Sequence, residues 1–286
     1  MKLKLLSHQK VINSLLLNFL GFQALRYSIS KILYLTKKIF IKKKNLLNII
    51  SKEVIDKGFA KEENSLSLHE FESIKKEFDL AINDPDVVVE KESYKNPEIT
   101  NGIEHKTLMI DENIKDKYPS IFNFKNSQKI KSIFSCCEMR ENIKIYCRIE
   151  RIKVFNNQIK DDNKEYHYDT FHNTFKAWLF LSDVNEKDGP YCYIPNSNKF
   201  SLTRFFSEWK NSIIFALKKN FEPSFRVKSK FKKKLDLKSF KAIVPKNTLV
   251  VSNTHGLHRR GDAQDGTVRE SIHFWTRENP FKIFLD

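Results

Sequence analysis

The spacing of apolar positions changes about halfway along the chain. Across residues 8–42, Leu15, Leu16, Phe19, Leu20 and Phe22 recur at helical spacings near Lys and Arg, which predicts one or two basic amphipathic helices. Residues 65–81 give a cleaner helical pattern. Ser67 is placed to cap it and Glu70 follows three residues later, while NDPD at 83–86 stops it. A further helix is expected over 127–139, so the first 140 residues read as largely helical.

Beyond residue 140 the period shortens to two. IKIYCRI (143–149) alternates, and RIKVF (151–155) continues in a shifted phase, which suggests strands joined by a bulge. TFKAWLFL (174–181) sets Phe175, Ala177, Leu179 and Leu181 on one face. NEKDGP is a turn, and YCYI (191–194) returns from it. NTLVVSN (247–253) and RESIHFWT (269–276) are two more strands. Residues 201–218 interrupt this half with a helix carrying Phe205, Trp209, Ile213 and Leu217 four apart. Short strands separated by turn residues predict an all-β sandwich or barrel in the C-terminal half.

Composition refines this outline. With 286 residues, 40% hydrophobic and 24 Phe, the chain can bury a real core, so general disorder is excluded. The net charge of +16 is unevenly placed. Residues 1–52 contain no Asp or Glu and carry +11 of it, and a second basic run, KSKFKKKLDLK, spans 228–238. Such runs suit anionic lipid or nucleic acid, or form a solvated face. Cys136, Cys137, Cys147 and Cys192 make no C-x-x-C pair, and no secretory leader pattern precedes them, so a reducing, cytoplasmic setting is expected. The apolar runs near the N-terminus are too broken to span a bilayer. That segment either packs on its own domain or a partner, or lies peripherally on a membrane surface.

The chemistry is concentrated in EYHYDTFHNTF (165–175). On a strand, His167 and Asp169 would project to the same face. Two imidazoles and one carboxylate on a face suit Fe(II) with open positions. Zinc accepts the same atoms, although its catalytic sites more often use three His or His₂Glu. A second histidine must come from elsewhere, and SNTHGLHRRG offers His255 and His258. Arg269 could grip a carboxylate bidentately, with Ser271 two residues on and facing the same way.

Taken in order, HYD at 167–169, KAWLFLSDVNEKDGPYCYIPNS at 176–197, NTHGLHRRG at 253–261 and the R-x-S of Arg269 and Ser271 resemble the phytanoyl-CoA dioxygenase family. The resemblance covers roughly residues 143–277. It implies an α+β protein with a double-stranded β-helix (jelly-roll) core at about 143–280, a helical N-terminal region and a helical insertion at about 200–242. Residues 1–60 would be a basic extension and 61–286 the oxygenase domain. The family's spacing between its distal histidine and its arginine selects His258, giving His167, Asp169 and His258 as ligands of Fe(II). The same resemblance assigns Arg269, Ser271 and Trp178 to the co-substrate 2-oxoglutarate. The arginine or lysine that completes that site in relatives has no clear counterpart here, with Arg148 and Arg151 as candidates. His172, Lys176, His255 and Arg260 are candidate pocket residues.

The activity implied is hydroxylation of an aliphatic carbon in a small or carrier-linked metabolite, with O₂ consumed and succinate and CO₂ released. Arg259, Arg260 and the 228–238 run suggest an anionic substrate. Alternatives are a non-catalytic metal- or ligand-binding jelly-roll protein and an oxygenase acting on nucleic acid. The last is disfavoured because most of the basicity lies outside the catalytic half.

Overall fold

The computed structural model describes residues 6–43, 48–85, 87–90, 102–156, 162–218, 225–227 and 231–282. Two antiparallel sheets face one another. The larger runs in the order β1 (Phe59–Glu62), β10 (Thr248–Asn253), β6 (Phe175–Phe180), β12 (Val268–Trp275), β4 (Tyr146–Val154), β3 (Ile103–Met109) and β2 (Val88–Glu90). The smaller runs β8 (Phe225–Arg226), β5 (His167–Tyr168), β11 (His258–Arg260), β7 (Tyr191–Tyr193) and β9 (Phe240–Lys241). Sequence neighbours are seldom sheet neighbours, as in a jelly roll.

Alternation on the large sheet separates structure from chemistry. Phe175, Ala177 and Leu179 of β6 and Ile272 and Phe274 of β12 join the main core. That core is filled from the helical side by α3 (Ile49–Lys57), α4 (Leu68–Ala81), α5 (Pro119–Lys125) and α6 (Gln128–Glu138). The opposite parity, with Trp178 and Phe180 of β6, faces the small sheet. The predicted box at α4 is present: Ser67 accepts from the Glu70 amide, and the Glu70 carboxylate accepts from the Ser67 amide.

Three expectations are corrected. The first 140 residues are not simply helical, because β1, β2 and β3 lie there and extend the large sheet. Residues 146–154 form one strand without a bulge. The shift in apolar phase arises because Ile149 and Glu150 are both buried, one in the core and one between the sheets. On α7 (Leu202–Leu217) the deeply buried stripe is Arg204, Glu208 and Ser212, while Leu217 is exposed.

The reason for that polar stripe lies in the N-terminal helices α1 (Leu15–Phe19) and α2 (Phe22–Lys43), which pack on α7. The contact is made by hydrogen bonds: Gln23 Nε2 donates to Glu208 at 3.2 Å, and Asn18 Nδ2 to the Ser212 carbonyl at 3.0 Å. Further along, Lys31 Nζ reaches Asn173 Oδ1 and the Asn198 carbonyl, each at 2.7 Å. The helices therefore turn their polar side inward. Leu16, Phe19, Ile32 and Ile39 remain 60–67% exposed. The short helix α8 (Lys232–Asp236) carries part of the second basic run, whose residues 228–230 lie outside the described segments.

Candidate metal centre and adjoining cavities

The register of the small sheet brings the two histidines together. His167 of β5 is the direct partner of His258 of β11, and their ring centroids are 4.5 Å apart. Asp169 lies just past the end of β5, its amide donating to the Thr254 carbonyl at 3.2 Å. Its Oδ1 is 3.5 Å from His258 Nε2 and 3.9 Å from His167 Nε2. Among the described residues this is the one group of three or more His, Cys, Asp or Glu that could hold a metal, with one donor atom from each within 4.8 Å of the others.

The backbone fixes which atoms face inward. His167 Nδ1 is 2.8 Å from the Glu165 carbonyl, and His258 Nδ1 is 2.9 Å from the Gly256 carbonyl. A carbonyl only accepts, so each Nδ1 carries the proton and each Nε2 presents its lone pair. Burial, with His258 alongside, pushes the His167 imidazolium down to about 3, so the ring is neutral at pH 7. Burial opposes ionisation of Asp169, but Lys176 and the two imidazoles hold its carboxyl well below the usual range. Lys176 Nζ takes the second oxygen, Oδ2, at 2.7 Å, leaving Oδ1 for the imidazole side. Two Nε2 atoms and one carboxylate oxygen form a donor set that fits Fe(II).

Gly256 orients His258 through its carbonyl, and only glycine fits there. An added Cβ would lie 1.9 Å from the Tyr193 hydroxyl, which itself donates to the Asn253 carbonyl at 3.2 Å. This packing ties the loop between β10 and β11 to the small sheet.

A cavity of about 220 Å³ opens on the cluster, lined also by Trp178, Arg148, Arg260 and Arg269. Arg269 Nη1 donates to the Gly189 carbonyl, and Trp178 stacks on His273 with centroids 5.1 Å apart. Ser271 shares the face of Arg269, but its hydroxyl donates to Glu150 Oε1 at 3.3 Å. Arg148 enters the cavity, whereas Arg151 has the opposite parity and pairs with Glu270 at 3.3 Å. His255 lines neither this cavity nor the larger one beside it. Its ring stacks on Tyr27, and Nδ1 lies 3.0 Å from the Thr170 carbonyl. His172 is buried with Nδ1 against the Asn173 carbonyl, and lines that larger cavity.

Sequence reasoning missed Glu150, the direct partner of Ser271 across β4 and β12. It is buried beside Arg148 Nη2 at 3.1 Å, His105 Nε2 at 3.5 Å and His273 Nδ1 at 3.7 Å. Burial would raise its carboxyl, but His105, His273 and Arg148 bring it well below the usual range. The signal was available: once β4 is read as one strand, Arg148 and Glu150 stand two apart on the face opposite Ile149.

The basis for an anionic substrate also moves. Arg259 is occupied by Asp236 and Asp262, at 3.0 and 3.4 Å. Lys232 pairs with Asp262 at 2.9 Å. Lys234 and Lys238 line a separate cavity with Tyr168 and Arg226.

Neither a protein-family model nor a curated protein sequence matches the chain. Solved structures do match. The epimerase SnoN, in complex with Fe³⁺, alpha-ketoglutarate and nogalamycin RO, aligns with a TM-score of 0.54 at 11% identity, over 79% of this chain and 81% of SnoN. EctD from S. alaskensis with bound Fe aligns at 0.51 and 12% identity, over 81% of this chain and 77% of EctD. The chain thus has the jelly-roll fold of these proteins. No helix among the described residues is long and apolar enough to cross a membrane.

Proposed function

We propose that the chain is an Fe(II)/2-oxoglutarate-dependent dioxygenase that hydroxylates an aliphatic carbon of a small or carrier-linked metabolite. The observation that carries this reading is the His167–Asp169–His258 cluster. Its three donors converge, both Nδ1 atoms are locked away, and Arg269 shares the cavity. The bound iron and alpha-ketoglutarate of SnoN and the iron of EctD accord with it. On this reading the oxygenase domain, expected over 61–286, also takes in α3 and β1, whose Val54 and Ala60 lie in the main core, and α1 and α2 are the extension packed on it.

His167 and His258 would hold Fe(II) through Nε2 and Asp169 through Oδ1, with Lys176 steadying the carboxylate. Arg269 would take the far carboxylate of 2-oxoglutarate against the wall formed by Trp178. When bound, iron with 2-oxoglutarate and O₂ supplies the oxidising power for C–H cleavage, with succinate and CO₂ as co-products. The protein keeps the His167 imidazole neutral and turns both Nε2 atoms inward. The test is succinate release from 2-oxoglutarate with Fe(II), first alone and then against pooled metabolites. Turnover that proceeds equally in the Asp169→Ala variant would overturn the assignment. An epimerised or cyclised product in place of an alcohol would redirect the reaction type.

We also propose that α1, α2 and α7 form a face that rests on an anionic bilayer. Their outward side carries Leu16, Phe19, Ile32, Leu35, Ile39 and Phe206. No carboxylate precedes Glu53, and the sole acid of α7, Glu208, is fully buried. An apolar stripe on helices that carry no exposed acid of their own matches an interfacial helix, with Asp56 of α3, paired to Lys38 at 2.8 Å, the acid beside it. The protein should sediment with phosphatidylglycerol vesicles and not with phosphatidylcholine alone, and Phe19→Ser with Ile32→Ser should abolish this. A dimer in light scattering without vesicle binding would overturn it and assign the face to a second copy.

A further inference from the structure

A second cavity, of about 510 Å³, adjoins the candidate metal centre. The two share Arg148, Asp169, Lys176 and His273, so the larger one leads directly to the ligand Asp169. Part of its wall comes from far away in sequence: His8, Gln9 and Lys10 of the segment that precedes α1.

That segment is clamped in place. Buried Arg26 donates through Nη2 to the Ser7 carbonyl at 2.8 Å and the Gln9 carbonyl at 2.9 Å. Buried Gln23 donates to the Lys10 carbonyl at 2.9 Å, and buried Asn18 to the Ile12 carbonyl at 2.7 Å. Val11 and Ile12 are buried, and the Arg26 guanidinium lies 4.3 Å from the Phe171 ring centroid. Three buried polar side chains thus hold four backbone carbonyls of an otherwise irregular stretch. Such groups are costly to bury unless satisfied, so the arrangement strongly prefers one path of the strap. Lys10 is therefore displayed at the cavity from a fixed backbone.

The charge of the lining has a clear sign. Its two acids are already matched, Asp169 by Lys176 at 2.7 Å and Glu278 by Arg140 at 3.1 Å. Arg148 is matched by Glu150. Lys10 and Arg277 are exposed and have no acidic partner among the described residues. Two unmatched cations at the mouth of a cavity that ends at a metal-binding carboxylate favour an anion at the mouth.

We infer that the N-terminal strap completes the substrate cavity and that Lys10 and Arg277 bind an anionic group, phosphoryl or carboxylate, of the substrate. This rests on the oxygenase reading for the word substrate, but the anion site can be tested separately. The full-length protein is titrated by calorimetry with inorganic pyrophosphate and, in a separate arm, with acetate. Each titration is run on metal-free protein and on protein loaded with Fe(II) and 2-oxoglutarate under argon.

Saturable binding is expected, weakened about tenfold by Lys10→Ala and by Arg277→Ala, each of which removes one charged contact. Lys246→Ala, a surface change outside the cavity, should leave it unaltered. Tighter pyrophosphate assigns a phosphoryl group and tighter acetate a carboxylate. Binding that is equal in all variants, or absent for both anions, overturns the inference. Anion binding that depends on Lys10 in a protein unable to bind 2-oxoglutarate supports the anion site and overturns the oxygenase reading.

Discussion

Changing Glu150 to glutamine removes one buried charge and little volume. The carboxylate lies between Arg148, His105, His273 and Ser271, on the sheet face that lines the metal-side cavity. At the 3.1 Å separation from Arg148, an effective dielectric of about 20 gives roughly 5 kcal/mol of attraction. Removing one partner of a buried pair costs about 3–5 kcal/mol. The Arg148 side chain keeps 22% of its exposure, and water there offsets part of the loss, so about 2–4 kcal/mol is expected. At roughly 2–4 °C per kcal/mol for a chain near this size, Tm should fall by about 4–16 °C. The same change leaves Arg148 and Arg269 facing the cavity without the internal carboxylate, so 2-oxoglutarate should bind severalfold more tightly. Calorimetric melting and 2-oxoglutarate titration on Glu150→Gln read both effects. A Tm within about 1 °C of wild type, or weaker 2-oxoglutarate binding, would refute the assigned role of Glu150.

Two further outcomes follow from the same geometry. Gly256→Ala forces a Cβ into the Tyr193 hydroxyl and should displace the carbonyl that orients His258, weakening Fe(II) binding about tenfold, the usual scale for losing an orienting partner; unchanged affinity would show that this carbonyl is dispensable. Burial lowers His172 and His273 from 6.5 to about 3, so the unfolded chain binds more protons than the native one between those values. Their contribution is complete above pH 6.5 and is lost as the pH falls toward 3, at about 1.4 kcal/mol per pH unit for each group. Melting temperature should therefore drop between about pH 6.5 and pH 5 and less steeply in His172→Gln; a flat profile contradicts the burial argument.

Features legible in the sequence are those encoded locally. The Ser67–Glu70 box, the one-face alternation of β6 and the pairing of His167 with Asp169 each need only neighbouring residues. What the sequence hid depends on pairing across the fold. The register that sets His167 opposite His258 joins segments about ninety residues apart, and only family-like spacing pointed to it. The inward polar side of α2 defeats periodicity, which assumes that apolar residues face in. There Gln23, Arg26 and Lys31 are buried because they capture carbonyls of the strap and of a loop. Ser271 shares a face with Arg269 as alternation requires, yet alternation says nothing of the carboxylate on the neighbouring strand that accepts from its hydroxyl.

The most direct test of the central claim is Fe(II)-dependent 2-oxoglutarate binding under argon, followed by the visible absorbance of the complex in wild type and histidine variants. His167→Ala and His258→Ala should each abolish it. His255→Gln, whose side chain stacks on Tyr27 away from the cluster, should retain it. Retention in His258→Ala with loss in His255→Gln would contradict the account.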